Sequence, residues 1–368
     1  MHNAHAALLR DARERLGADA LLVVMSGDHV QRGEAAIIDK YARAGMALDA
    51  GADLVLELPS AFATGSAQYF ARGAVSALLH TGACDALLFG SESGDIEALK
   101  KTEAVIADPE AGKGRFTPFD ERPGPNDLLA AEYLKALDHF RSDMETHTIK
   151  RIGPGHDSLL PSDGFLSASA LREYILSGED ACIDFMPEGA VKYLNESLIT
   201  RDPMCFKSYS SLLFYALLSG KDSGYGAYFD VFDDLSDKIL SRLEGYTDAE
   251  SFAQSLKSKD ISLSHIRRAL LHILLKIRND EVHKLIDIYG YCPYLRILGL
   301  KKDSALLKRI RKNCDRPLIA KAADAGKLLD GAALLSFEKD VFCSELYSRT
   351  ASKNGGFLSE YRRGVVVL

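Results

Sequence analysis

From residue 20 to residue 152, short apolar segments alternate with stretches that repeat their apolar residues at helical spacing, and few architectures tolerate that pattern. Ala20 to Met25, Leu54 to Leu58, Ala86 to Phe89 and Thr146 to Ile152 read as strands. Helical patterns occupy about residues 39–50, 67–79, 96–107 and 128–140 between them; another covers 4–16 in front, and a short one, 169–176, follows. Strands separated by helices cannot pair as hairpins. They imply an α/β fold with a parallel sheet covered on both faces.

Beyond about Pro187 the strand signals fade. Ser264 to Ile277 places Ile266, Leu270, Ile273, Leu274 and Ile277 on one helical face, and similar patterns fill much of the remainder. A boundary near residue 186 therefore divides the chain into an α/β domain, 1–186, and an all-helical domain, 187–368. The length of 368 residues and a hydrophobic content of 47% suit two domains with their own cores. No apolar run is long enough to span a membrane and no secretory leader is readable, so a cytoplasmic location with no membrane partner is expected. The six cysteines lie far apart without CxxC spacing, which fits reduced thiols and no cysteine metal site. A net charge of −7 does not suggest a general nucleic-acid binder, and no DNA partner is expected; an RNA contact would need a local basic face.

The residues that could carry chemistry are few. His2 and His5 stand three apart where the first helix begins. There, backbone N–H groups and the helix dipole favour an anion, and imidazoles can donate to charged oxygens. A solvated pair is the bland alternative. Gly90 ends a strand and would let a ligand approach the backbone, or it simply ends the strand. Asn126 could bind a base or ribose, or cap the helix that follows Pro125. Arg151 suits a phosphate or a surface ion pair. Ser169 and Arg172, one turn apart at a helix start, could hold pyrophosphate, with Ser169 as the cap otherwise. Gln31 and Arg32 lie in a polar loop after a strand, suited to a carboxylate or phosphate or merely solvated. Two segments are basic against the acidic whole. One holds Arg267 and Arg268; the other holds Lys308, Arg309, Arg311 and Lys312, with Tyr289, Tyr291 and Tyr294 nearby as candidate stacking rings.

Several segments in order resemble the bacterial tRNA(Met) cytidine acetate ligase family of the HxGH nucleotidyltransferase superfamily. They include His-Asn-Ala-His at 2–5, Met-Ser-Gly-Asp-His-Val-Gln-Arg-Gly-Glu at 25–34, Asp-Lys-Tyr-Ala-Arg-Ala at 39–44 and Gly-Ala-Asp-Leu-Val-Leu-Glu-Leu-Pro at 51–59. Leu-Phe-Gly-Ser-Glu at 88–92, Pro-Asn-Asp at 125–127, Ile-Lys-Arg-Ile-Gly at 149–153 and Ser-Ala-Ser-Ala-Leu-Arg at 167–172 follow. Ile-Arg-Arg-Ala-Leu-Leu-His-Ile-Leu-Leu at 266–275 and Leu-Arg-Ile-Leu-Gly at 295–299 extend the likeness into the helical part. The resemblance implies a Rossmann-like domain whose ATP site comprises His2, Asn3, His5, Gly90, Asn126, Arg151 and Ile152, with Ser169 and Arg172 as a second phosphate motif.

That family's reaction would join acetate to ATP as acetyl-adenylate, with Mg²⁺ beside the phosphates. The acetyl group would then pass to the wobble cytidine of elongator tRNA(Met), giving N4-acetylcytidine. His2 and His5 would be catalytic, Gln31 and Arg32 would meet substrate, and the two basic segments would grip tRNA. Two departures stand out: Ala4 replaces the glycine of the HxGH turn, and Met1 sits directly against His2, so the family's first strand is expected to be missing. A small-molecule adenylyltransferase of the same fold and an inactive RNA-binding homologue are the competing readings.

Overall fold

A computed structural model describes residues 1–105, 124–151, 165–259, 261–353 and 357–368. Helices α1 (Asn3–Glu14), α2 (Lys40–Asp49), α3 (Ser60–Ala63), α4 (Ala67–His80), α5 (Ile96–Val105), α6 (Pro125–His139) and α7 (Ala168–Ser177) intersperse with strands β1 (Leu22–Ser26), β2 (His29–Val30), β3 (Glu34–Ala35), β4 (Leu54–Leu58), β5 (Ala86–Ser91) and β6 (Glu145–Lys150). Then follow α8 (Glu188–Thr200), α9 (Ser210–Gly220), α10 (Asp233–Arg242), α11 (Ala249–Leu256), α12 (Leu263–Leu275) and α13 (Asn279–Tyr289). The chain finishes with β7 (Leu295–Leu300), α14 (Ala305–Asn313), β8 (Leu318–Ile319), α15 (Ala325–Leu328), α16 (Gly331–Ala351) and β9 (Val366–Val367). The expected alternation is present.

The sheet is mixed rather than purely parallel. β1 and β4 run parallel, but β7 lies antiparallel on the far side of β4, with β8 and β9 both parallel to β7. The region beyond residue 186 is therefore mostly, not wholly, helical, and the division at 186 is crossed by a strand that returns to the first sheet. The tail, whose structure the sequence does not decide, pairs Val366 and Val367 with β7.

β5 and β6 form a separate parallel pair. Leu22 and Val24 of β1 share an apolar cluster with Leu87 and Phe89 of β5 under α4 and α6, yet among the described residues no ladder joins the two strands. Leu22 to Met25 stay half-buried, whereas every residue of β4 is buried, as fits an apolar strand with one edge unpaired. The helix after the histidines buries little of its surface. Of its apolar stripe only Ala12 is buried, and Leu16 is exposed. Arg13 anchors it through an ion pair with Asp53 and a bond to the Ala18 carbonyl.

The helical region packs around Phe206, Tyr209, Leu213, Leu235, Phe252 and Leu270, in a core that also takes in Leu58 and Phe62 of the α/β part. α12 runs through it from a Ser262 cap that accepts from the His265 N–H. His272 of α12 joins this core to the α/β part, Nδ1 lying 2.7 Å from the Phe229 carbonyl and Nε2 3.0 Å from the Thr64 hydroxyl. Burial above all, and then the Arg268 charge, hold His272 neutral with its pKa pushed down to about 4, against Asp230 and the carbonyls. Buried His29 goes down to about 3, through burial and then the Arg43 and Lys40 charges. Both stabilise the fold above the ordinary histidine pKa, and acid removes that stability because only the unfolded chain takes up the protons. Each histidine is expected to cost about 2 kcal/mol between pH 7 and pH 5. Urea unfolding across that window should show a shallower pH slope in His272→Asn; an unchanged slope would remove His272 from the account.

Candidate nucleotide site

His2 precedes the first turn of α1 in extended backbone, φ −123°, and its carbonyl accepts from the His5 N–H at 2.9 Å and the Ala6 N–H at 3.2 Å. Spacing of three residues then brings the two imidazoles together, with centroids 3.9 Å apart and planes inclined by 26°. His2 is buried and its Nδ1 has no hydrogen-bond partner among the described residues; His5 is exposed. Burial, followed by the charges of His5, the N-terminal amine and Arg151, pushes the His2 pKa well below the ordinary range. That of His5 goes down as well, from protein packed around the ring and then from the amine and Arg151. The stacking alone requires that the two rings are not both cations. They form a neutral pair of polar rings at a helix N-terminus.

Arg151 follows β6, where its N–H donates to the Ser91 carbonyl at 2.8 Å. Its Cγ lies 3.4 Å from where a side chain at Gly90 would begin. Its Nη1 donates to Asn126 Oδ1 at 2.9 Å. Asn126 is not the cap of α6; Gly124 holds that position, and Asn126 sits one residue inside Pro125. Its Nδ2 donates to Glu92 Oε1 at 2.5 Å. Glu92 also accepts the N–H groups of Asn126 and Asp127, while Asp127 returns the favour by accepting the N–H groups of Glu92 and Ser93. The loop after β5 and the start of α6 thus cap each other.

A second group gathers around Glu34 of β3. Arg172 of α7 meets its Oε2 at 2.9 Å, and Arg267 of α12 meets its Oε1 at 2.8 Å. Gln31 and Arg32 lie in the β2–β3 turn, Gln31 half-buried and Arg32 exposed. Gly33 closes that turn at φ +75°, and a Cβ there would come within 2.4 Å of the Arg268 backbone nitrogen. Only glycine lets the turn rest against α12.

The HIGH nucleotidyl transferase family model matches residues 1–118 and 115–357. A tRNA(Met) cytidine acetate ligase of Caldanaerobacter subterraneus subsp. tengcongensis is 33% identical over 377 residues, covering 95% of this chain and 92% of the relative. The chain belongs to the tRNA(Met) cytidine acetate ligase family. The Bacillus subtilis ligase is 30% identical, across 94% of this chain and 89% of its own. Apo Thermotoga maritima TmcAL superposes with a TM-score of 0.91 at 27% identity, covering 100% of this chain and 97% of that one; the same protein bound with alpha-thio ATP gives 0.88.

Of the residues that the ligase family implies for ATP, the structure gathers His2, His5, Gly90, Asn126 and Arg151 at the β5–β6 end of the molecule, and Asn3 lies in the first turn of α1. Ile152 lies outside the described residues. Ser169 is not a helix cap: Ser167 fills that role, its Oγ accepting from the Ala170 N–H at 3.1 Å. Arg172 is engaged by Glu34 rather than open.

Arg267 and Arg268, expected on a basic face for RNA, are both paired with acids in the structure. Arg267 is held by Glu34 and Glu250, and Arg268 is buried against Asp230 at 3.2 Å. Their partners are distant in sequence, so local charge counting misses them. Tyr291 and Tyr294 are likewise core residues, not stacking rings. Lys308, Arg309, Arg311 and Lys312 are all exposed on α14, though Arg309 also reaches Asp85. α14 packs Leu306 and Ile310 against the sheet, so this basic face belongs to the α/β part. Glu34 and Glu92 are the participants that residue patterns did not single out; their only signal was a place inside matched segments.

Proposed function

We propose that this chain is an ATP-dependent ligase that converts acetate to acetyl-adenylate and transfers the acetyl group to the wobble cytidine of elongator tRNA(Met). The observation that carries this reading is the stacked neutral pair His2 and His5 at a helix N-terminus, beside Arg151. An acetate oxygen attacks the α-phosphorus, and pyrophosphate leaves. His2 and His5 donate N–H groups to the α-phosphate as its oxygens gain charge, and Arg151 neutralises the nucleotide. Asn3, Gly90 and Asn126 serve the nucleoside, a role the family resemblance also gives Ile152, and Ser169 and Arg172 take the pyrophosphate, for which Arg172 must share or leave Glu34. Gln31 and Arg32 face the carboxylate. The cytidine N4 amine then attacks the acetyl carbonyl, yielding N4-acetylcytidine and AMP.

Among the described residues no three His, Cys, Asp or Glu side chains form a metal cage. Mg²⁺ bound through phosphates and water needs no such cage, so it fits this site as a companion of ATP. No described helix is long and apolar enough to cross a membrane, which fits action in the cytoplasm.

Acetate-dependent ATP–pyrophosphate exchange by the purified chain tests the first step. Exchange that needs acetate supports the ligase; exchange driven by a phosphorylated metabolite instead favours the adenylyltransferase, and tRNA binding without exchange favours an inactive homologue. The α14 face supplies the tRNA contact in this reading. Reversing Lys308, Arg311 and Lys312 to Glu should weaken tRNA binding and flatten its log–log salt dependence by about 0.7 to 0.9 per lost phosphate contact. An unchanged salt slope would move the tRNA to another surface.

A further inference from the structure

Glu92 holds Asn126 by both its backbone and its side chain. Its Oε1 accepts both the backbone N–H of Asn126, at 3.1 Å, and the side-chain Nδ2, at 2.5 Å; its Oε2 accepts the Asp127 N–H at 2.5 Å. Arg151 donates to the other end of the same carboxamide. An amide has two faces that differ only in which atom donates, and here both ends are specified: Oδ1 towards Arg151, Nδ2 towards Glu92. The third feature is Gly124. A Cβ there would stand 2.6 Å from the Glu92 carboxyl carbon, so the absence of a side chain before Pro125 lets the carboxylate lie across the start of α6. Partial burial opposes the charge on Glu92, but the Asn126 side chain and the two N–H groups outweigh it and hold the carboxyl below its ordinary range.

We infer that Glu92 is a positioning residue for nucleotide binding, fixing through its carboxylate the orientation of Asn126 and, through Asn126, that of Arg151. It does not need to touch the nucleotide. Because it already occupies the N–H groups at the start of α6, that helix terminus is closed to phosphate; Asn126 and Arg151 present only their remaining donors and acceptors, in one fixed arrangement. The inference rests on the ATP-binding reading above.

Glutamine at this position is the sharpest probe. All three hydrogen bonds to the carboxylate come from donors, so a carboxamide in its place turns an NH₂ towards a donor whichever way it is flipped. ATP binding to the full chain, measured by calorimetry, should weaken about 10-fold in E92Q through loss of a charge-assisted hydrogen bond. G124A, which displaces the carboxylate by crowding, should weaken it comparably. E92Q combined with N126A should bind no worse than N126A alone, and KM for ATP in the exchange assay should rise while kcat changes little. A purely structural cap would instead lower the melting temperature and act independently of N126A. Wild-type affinity in a folded E92Q, or effects of E92Q and N126A that multiply, would overturn the inference alone. A wild-type chain that binds no ATP would overturn the reading beneath it as well.

Discussion

Replacing Lys40 by methionine is expected to destabilise the fold by about 3 to 5 kcal/mol, because it leaves buried carboxylates short of a partner. Lys40 opens α2 with its side chain 1% exposed, and its ammonium lies 2.8 and 2.9 Å from the two Glu57 oxygens, 2.6 Å from Glu360 and 2.8 Å from the Ser344 hydroxyl. Arg296 of β7 stands directly opposite Glu57 in the ladder and spans the same two acids, 3.0 Å from Glu57 and 2.7 Å from Glu360. Burial alone would push the Lys40 ammonium towards neutrality. The Glu57 and Glu360 carboxylates outweigh it and hold the group well above the ordinary lysine range. Methionine fills similar volume, so the loss is electrostatic rather than a cavity. Urea unfolding measures it, and Lys40→Met with Glu57→Gln should recover part of the loss. A single-variant change below about 1 kcal/mol would mean that water or a counter-ion replaces the ammonium.

The same cluster explains why the molecule is not two independent halves. Lys40 belongs to the α/β part, Arg296 to a strand encoded more than two hundred residues later, and Glu360 to a short turn near the chain's end. Asp39, beside Lys40, caps α2 through the N–H groups of Tyr41 and Ala42 and also pairs with Arg201 and Arg363. Two consecutive residues thus fasten β4, β7, α8 and the tail together. In the sequence, Asp-Lys was legible only as part of a matched segment, since the acids that neutralise Lys40 are not local.

What was legible followed local periodicity. β4 is β-branched or leucine-rich and ends at Pro59; α4 and α12 carry their apolar stripes within four turns. β7 escaped notice because Leu-Arg-Ile-Leu-Gly-Leu has one β-branched residue, carries a charge at its second position and sits among helices. Its strand character comes from pairing with β4, a tertiary fact. The capping serine was displaced by two residues for a different reason: Ser167 and Ser169 flank Ala168, and either can begin a helix on sequence alone. For the candidate site, residue type suggested His2, His5, Asn126 and Arg151, and the resemblance ordered them. The charge partners that engage Arg172, Arg267 and Arg268 come from other elements, so no spacing rule reveals them.

The largest effect on chemistry is expected at His5. Its exposed ring can be removed without opening the core, unlike buried His2, so His5→Ala should fold and bind tRNA normally while acetate-dependent exchange falls about 10²- to 10³-fold, the cost of losing one donor to a charged transition state. His2→Ala should lower exchange as far and also lower stability, because its ring is 7% exposed and packs against its neighbour. The two rings share one property. Crowding and the nearby positive charges keep both rings neutral, so in the proposed reaction each is expected to act as a hydrogen-bond donor rather than a cation. A donor can be replaced by another donor: His5→Asn, whose carboxamide offers an N–H, should retain more exchange than His5→Ala. If asparagine and alanine are equally inactive and lysine restores the rate, positive charge is what the site requires, and the neutral-donor role fails even though the residue remains essential.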